Sequence, residues 1–503
     1  MTKHFSLEKI WWPVVALAGA AVYFIAIIFA SHQSIWFDEG YSILLAKSNW
    51  GDLFSLTAVD AHPPLYYAVL KIWGTVFGFS DFALRSLSAV LLSGAVMTGL
   101  AMLRRCFSAK VALLALPFIV FAPFLIRYGY EVRMYSMAML IGVAATYVLV
   151  SAYEKKDWWR WAVYAALVAL GMYTLYMTLV IWLAHVVWLS VLSMKEKKRQ
   201  PVKTWKWLYA YAFAVVLFLP YIATFIHQTL YSALPGVGSS ITLAKLADMV
   251  SVLFAYTPEW SVGGWLALLI LAGIILVSVV GVKVYQHIPQ PQKKYYLLLV
   301  ALTLVPIAFY ILTSLPPRTP IYINRYLAHV AIFIYMLVGV TLALGVSYRS
   351  KWKKQASRLA PVAYAVTLLI VGIGMMQLYA TGNFVFERMQ HPQTSQIRQA
   401  VTCNNTTTIV ADDPYTYIDS AFYFDGCDLR FFSENPIEYK GGYAKLHDSP
   451  LRISDSLNVD SQTVYRLGWV GQKPSFVVDN RYELIHSEQH DKQLLEEYQL
   501  ISE

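Results

Sequence analysis

Charge is what this chain has least of. Only 14% of its 503 residues are Asp, Glu, Lys or Arg, against about 25% in soluble globular domains. With 58% hydrophobic residues beside it, that scarcity excludes a soluble enzyme. Cysteine is also rare, with three in all. Cys106, in "RRCFSAK", reads as a reduced bystander in a cytoplasmic loop. Cys403 and Cys427 both lie in the C-terminal tail, and a disulfide between them is an open option if that tail is outside the cell. Two further absences matter. No glycine-rich loop follows a strand, and no cytoplasmic loop is large enough for a sugar-nucleotide site. No A-x-A-like cleavage site precedes "SHQSIWF", so Trp11 to Ala30 reads as a retained span rather than a signal peptide.

What the chain does have is long uncharged runs. They cover roughly 11–30, 86–103, 111–126, 134–153, 161–194, 207–244, 260–282, 295–315, 326–348 and 359–386. A span needs about 20 apolar residues, so this is a polytopic membrane protein. The 161–194 run has basic flanks at both ends and reads as a hairpin turning near Gly171 to Thr178. The 207–244 run is cut at about 226 by the loop signals of "HQTLYSALPGVGSS". That makes eleven helices.

The net charge of +10 divides unevenly. From Gly382 onward there are 10 Lys+Arg and 18 Asp+Glu, a net of −8, so the remainder carries 30 and 12, a net of +18. Those positives lie in short loops on alternate sides and do not suggest nucleic acid. Segments 1–10, 104–110, 153–160, 195–206, 283–294 and 349–358 hold 22 Lys+Arg, and the opposite loops hold eight. The positive-inside rule then puts the N-terminus in the cytoplasm and the C-terminal tail outside. The expected domains are a transmembrane part, 1–381, with a large outer loop over 31–82, and a soluble extracytoplasmic α+β domain, 382–503. In that domain "TTTIVAD", "AFYFDG", "DLRFF" and "TVYRLGWVG" read as strands and "DKQLLEEYQL" as a closing helix.

Chemistry gathers on the outer side. "SIWFDEGYSI" places Asp38 and Glu39 directly after the first span. Boundary acids are ordinary at helix ends, but this pair sits between aromatic and apolar residues, where charge is costly. "HPPLYYAVLKIWGTVFG" begins a helix at its prolines and reads as an amphipathic helix at the outer interface. His62 is a substrate contact, a metal ligand or a structural group, and Tyr66 a second substrate contact. "YGYEVRMYS" carries Glu131 and Arg133. The bland reading of those two is an exposed turn salt bridge. The sharper one is a second carboxylate that binds a divalent metal or raises the pKa of the first, with Glu131 and His62 as metal candidates. "PPRTPIYINRYL" carries Arg318, Arg325 and Tyr326. Arg325 lies at the mouth of the tenth helix, where a lipid phosphate could be gripped in bidentate fashion. Carboxylates for general-base work and arginines for a leaving phosphate fit transfer of a sugar from a lipid phosphate to an acceptor on the water side.

Taken in order, "WFDEGYS", "HPPLYYAVLKIWGTVFGFSDFALRSLSAV", "YEVRMYSM" and "NRYL" resemble the bacterial GT-C membrane glycosyltransferases of the protein O-mannosyltransferase and aminoarabinose-transferase type, glycosyltransferase family 39. The likeness covers about residues 10 to 345. It implies a GT-C fold of about eleven transmembrane helices and a polyprenyl-phosphate monosaccharide donor used with inversion. It also implies Asp38 as catalytic base with Glu39 beside it, and Glu131 as a second acid with Arg133 its companion. Arg325 would face the donor phosphate, with Tyr326 and Arg318 nearby. Where relatives often carry a His in a "THY"-like string, this chain has "TLYM", Thr174 to Met177, which weakens a metal site there. Protein, lipid and glycan acceptors all stay open. A glycan polymerase or ligase shares the substrates and a similar fold. A transporter of lipid-linked sugars would instead show repeated halves and charge at mid-bilayer. A receptor or scaffold would leave the "DEG" and "HPPLYY" segments unexplained.

Overall fold

The computed structural model describes residues 7–155, 157–197, 207–232, 242–257, 264–315, 322–352, 357–381, 393–454, 461–473, 475–476 and 478–501. In chain order the helices begin with α1 (Leu7–Ala30), α2 (Phe37–Lys47), α3 (Trp50–Ala58), α4 (Leu65–Phe77), α5 (Asp81–Cys106), α6 (Ala109–Val120) and α7 (Pro123–Gly129). They continue with α8 (Tyr135–Lys155), α9 (Trp158–Thr174), α10 (Leu179–Lys197), α11 (Trp207–Phe218), α12 (Ile222–His227) and α13 (Leu243–Ala255). The last long helices are α14 (Gly264–His287), α15 (Gln290–Thr313), α16 (Ala328–Tyr348) and α17 (Leu359–Thr381). The C-terminal domain adds α18 (Thr394–Ala400), β1 (Thr407–Ala411), α19 (Pro414–Ala421), β2 (Asp428–Phe432), β3 (Arg452–Ile453), β4 (Thr463–Trp469), β5 (Tyr482–His490) and β6 (Gln493–Leu500).

Two compact units result. One holds Met1–Ala30, Arg85–Ala223 and Leu234–Phe386; the other holds Ser31–Leu84, Thr224–Ala233 and Glu387–Glu503. The large outer loop therefore shares a unit with the C-terminal domain.

Nine helices among the described residues are long and apolar enough to cross a bilayer, and ten if α6 and α7 form one bent span. The 17-residue α9 reaches about 26 Å at 1.5 Å per residue, close to the hydrocarbon thickness, and brings the number to the expected eleven. This is a multi-pass membrane protein. The hairpin between α9 and α10 turns at Leu175, which is extended (φ −159, ψ 119), and at the 3₁₀ turn Tyr176–Thr178. The α6–α7 bend of 65° has a local cause. Pro123 opens α7, and Ala122 before it is driven out of helical space to φ −74, ψ 107. Past residue 226, where the loop signals begin, the chain stays helical to Ser232 as a π-turn, Gln228–Ser232.

Buried polar groups tie these helices together. The His185 ring lies 3.0 Å from the Thr146 hydroxyl and 2.9 Å from that of Tyr164, which in turn meets the Tyr211 hydroxyl at 2.7 Å. Four helices, α8 to α11, are laced by that chain. In a medium without water, a polar side chain is stable only with such a partner.

The sheet of the second unit runs in the order β3-β2-β1-β4-β6-β5. β1 to β4 are parallel, and β4–β6 and β5–β6 antiparallel. Alternation along β1 sends Ile409 into a core with Leu429, Leu467 and Leu495, and Val410 into one with Val464 and Phe476. Cys403 and Cys427 are disulfide-bonded. Two expectations fail here. "AFYFDG" is the end of α19 and a turn, not a strand. "DKQLLEEYQL" is the β5–β6 turn and strand β6, not a helix. Its Gln, Leu and Glu residues favour helix, but tertiary pairing wins. Leu495 faces Leu467 across the ladder, and Glu496 accepts a 2.6 Å bond from Arg466 Nη1.

Arg466 is the centre of that domain's buried charge. It also grips Asp412 in bidentate fashion, Nε to Oδ1 at 2.8 Å and Nη2 to Oδ2 at 2.5 Å, with both side chains 1% exposed. Burial pushes the Asp412 carboxyl above its ordinary value despite the guanidinium. Removing one partner strands the other. Arg466→Met is expected to cost about 3–5 kcal/mol, and Arg466→Met with Asp412→Asn much less. Hydrogen exchange of the β1 and β4 amides checks this.

Candidate active site

In the second unit, Trp36 is extended (φ −115, ψ 175) and α2 starts after it, so Asp38 and Glu39 fall in the first turn. Backbone N–H groups there lack helical partners, and the helix dipole favours negative charge. Successive helical residues point about 100° apart, so the two acids are not equivalent. Asp38 is half-buried, and Glu39 is wholly buried. The far end of α2 is held by Lys71, whose ammonium donates to the Ala46 carbonyl at 3.2 Å and to that of Ser48 at 2.5 Å. Gly40 is set against α19. A Cβ built on it would stand 2.4 Å from the Ile418 carbonyl oxygen, a distance no side chain tolerates. The third letter of "DEG" is therefore steric.

Pro64 caps α4, as the prolines of the outer loop suggested. The helix buries Tyr66, Tyr67 and Leu70, and exposes Ile72, Val76 and Phe77, as an interfacial helix should. His62 Nδ1 is 3.2 Å from Asp60 Oδ2, with Asp60 buried. Tyr66, expected as a substrate contact, lies in the core at 0% exposure.

In the first unit, Glu131 follows α7 and is wholly buried, as is Arg127. Arg127 Nη1 donates to Glu131 Oε2 at 2.7 Å. The Glu131 carbonyl accepts from the Ser88 hydroxyl and the Arg133 N–H, each at 2.6 Å. Glu131 is therefore buried rather than in an exposed turn, and Arg127 is an ion-pair partner of it. Reading the sequence for i, i+4 pairs would have found Arg127. Arg133 is itself 3% exposed.

"NRYL" forms a 3₁₀ turn, Asn324–Leu327, leading into α16. The Tyr322 hydroxyl donates to Asn324 Oδ1 at 2.8 Å, and the Tyr310 hydroxyl to the Tyr326 carbonyl at 3.0 Å. Arg325 and Tyr326 are half-buried at this helix mouth. His329, one turn on, lies 2.9 Å by Nε2 from the carbonyl of Met177, within "TLYM". Arg318 lies outside the described residues. The candidates thus divide: Asp38, Glu39, His62 and Tyr66 in one unit, and Glu131, Arg133, Arg325 and Tyr326 in the other.

Among the described residues, no three His, Cys, Asp or Glu side chains gather as a metal site would require. An oxygen of Glu131 is engaged by Arg127, and a nitrogen of His62 by Asp60. The two metal candidates of the sequence are thus each engaged by a neighbouring side chain.

The fold is that of the GT-C membrane glycosyltransferases. The family model for dolichyl-phosphate-mannose-protein mannosyltransferases matches residues 61–223. Among solved structures, the chain is similar to ArnT from Cupriavidus metallidurans bound to undecaprenyl phosphate, at 12% identity and TM-score 0.57, over 97% of this chain and 98% of that one. It is equally similar to the apo state of the same protein, at 10% identity and TM-score 0.57, over 98% of each chain. No curated protein matches the chain in sequence.

A side chain at position 40 should separate α2 from α19. Gly40→Val is expected to destabilise the second unit by about 1–3 kcal/mol, as overpacking does, and to speed proteolysis within 393–454. Unchanged cleavage would show that the two helices part freely.

Proposed function

We propose that this protein is a membrane glycosyltransferase that moves a monosaccharide from a polyprenyl-phosphate donor to an acceptor on the extracytoplasmic side. The observation that carries this reading is the half-exposed Asp38 carboxylate on the first turn of α2, within a GT-C fold matched end to end by a protein crystallised with undecaprenyl phosphate. Two features support the orientation, with the N-terminus inside and the C-terminal domain outside: the 22-to-8 bias of basic residues between loops, and the Cys403–Cys427 disulfide, which suits an oxidising compartment.

In this reading Asp38 takes the proton of the acceptor hydroxyl or amine. The acceptor atom attacks the anomeric carbon as the bond from that carbon to the phosphate oxygen breaks. The bonding pair leaves on the lipid phosphate, and a single displacement inverts the anomeric centre. Arg325, at a helix mouth, and Arg133 are assigned to the charge developing on the phosphate, and Tyr326 and Arg318 to binding the same donor phosphate. Glu39, next to the base on α2, and Glu131 are assigned as further acids of the reaction, and His62 to the acceptor. The products are a glycosylated acceptor and a polyprenyl phosphate.

Asp38→Asn in membranes supplied with polyprenyl-phosphate sugars should lower transfer by about 10²–10⁴-fold, the usual range for a general base, with insertion unaffected. Arg325→Ala should reduce kcat/KM for the donor by roughly 10- to 100-fold, the worth of a charge-assisted bond. Wild-type rates in Asp38→Asn would remove the base. Movement of intact lipid-linked sugar across vesicles without transfer would favour a transporter instead.

A further inference from the structure

Helix starts are commonly fixed by a side-chain bond from the N-cap residue. α2 is not: its N-cap residue is Trp36, which makes no side-chain capping bond. The hold on its first turn comes from the C-terminal domain, at Ser34, Ile35, Phe37 and Gly40, on both sides of the Asp38–Glu39 pair. The Ser34 and Ser395 hydroxyls meet at 2.8 Å, and the Ser395 N–H donates to Ser34 Oγ at 3.3 Å. The Ile35 N–H donates to the Tyr423 hydroxyl at 2.8 Å. Phe37 stacks on Tyr415 with ring centroids 4.7 Å apart and an interplanar angle of 3°, and meets Tyr443 at 5.2 Å. Past the acids, the Ile418 carbonyl closes on Gly40 so tightly that a Cβ would stand 2.4 Å from its oxygen.

These partners are anchored in their own domain. Ser395 lies on α18, Tyr415 and Ile418 lie on α19, and Tyr423 lies in the turn that follows. Arg398 Nε donates to the Tyr423 carbonyl at 3.0 Å, and the Cys403–Cys427 disulfide closes the segment that carries the tyrosine. On the other side of the seam Ile35 and Trp36 are buried. An N–H in such a place that loses its acceptor bears the full cost of its desolvation, so the chain shifts to find another partner.

A general base works only within hydrogen-bond reach of the proton it takes, and a misplacement of about 1 Å can cost about 10²-fold in rate. Phe37 directly precedes Asp38, so a rotation of α2 that breaks the ring stack turns the carboxylate with it. We propose that Tyr415 and Tyr423, residues of the C-terminal domain, are positioning residues for Asp38. The Tyr415 ring sets the rotation of α2 about its axis, and the Tyr423 hydroxyl sets where the helix begins. Both roles rest on Asp38 being the base. They give the C-terminal domain a part in the reaction, because the cap that α2 lacks in its own sequence is supplied from more than 350 residues further along the chain.

The test uses full-length protein in native membranes supplied with labelled undecaprenyl-phosphate monosaccharides, with rates taken per folded molecule so that lost stability alone does not move kcat. Tyr423→Phe keeps the ring and removes the acceptor of the Ile35 N–H. It should lower kcat about tenfold with donor KM unchanged, and amide exchange across residues 34–42 should quicken by a similar factor. Tyr415→Leu should also lower kcat about tenfold, and Tyr415→Phe, which keeps the stacked ring, should recover most of that loss. Wild-type kcat in Tyr423→Phe, or a loss that lies wholly in donor KM, would overturn the role of the hydroxyl. Unchanged amide exchange would show that the hydroxyl does not hold the turn. Equal losses in Tyr415→Leu and Tyr415→Phe would overturn the stack. Should Tyr415→Leu not fold, Tyr423→Phe decides alone. Wild-type rates in Asp38→Asn would defeat the base reading and the positioning roles with it. An inactive Asp38→Asn beside wild-type rates in Tyr423→Phe and Tyr415→Leu would defeat the positioning roles and leave the base in place.

Discussion

A bilayer offers no partner to a polar group, and that constraint organises the membrane part of this protein. Every backbone N–H and carbonyl in hydrocarbon must be bonded within the chain, which is why the uncharged runs are helices. The same rule governs side chains. Arg85 Nη1 donates to the Ala30 carbonyl at 2.9 Å, Arg127 is paired with Glu131, and the His185 ring is held by two hydroxyls. A buried ion pair gains little net stability, but losing one partner is severe. Such pairs therefore act as fixed joints. Glu131, bound by Arg127 through its side chain and by Ser88 and Arg133 through its carbonyl, can neither swing nor change partner cheaply.

Side-chain bonds also fix the loop that follows the first span. Loops usually move. Here the outer loop is built of three helices, α2, α3 and α4, rather than irregular chain. Its connections are short, and Lys71 closes the C-terminal end of α2 by binding the Ala46 carbonyl within it and the Ser48 carbonyl just past it. The N-terminal end of the same helix is left to the acids. A helix shaped by a cation at one end and anions at the other has its dipole satisfied twice, so the position of Asp38 is determined along the helix axis as well as around it.

Much of this was legible in the residues because hydropathy is a one-dimensional signal. The runs, the hairpin near Gly171 to Thr178 and the proline start of α4 all follow from local chemistry. Asp38 and Glu39 stood out because charge beside an apolar run is unusual. What local chemistry could not reveal was pairing at a distance. Residues 493–500 have helix-forming composition, yet they form β6 because β4 supplies Leu467 and Arg466 opposite Leu495 and Glu496. Arg127 was the exception, a partner four residues away that the eye for outer-side arginines missed.

The tripeptide Asp38-Glu39-Gly40 compresses three requirements into one turn. Because helix residues advance by about 100°, three neighbours face three directions, and each direction is differently occupied. One keeps partial access to water, one is wholly buried, and one meets the Ile418 backbone where no side chain fits. Moving the acids by a single position would bury the accessible carboxylate or drive a Cβ into α19. The motif is short because the geometry of one helical turn already couples the half-buried carboxylate to its supports. The α2–α19 seam is what keeps that turn in register.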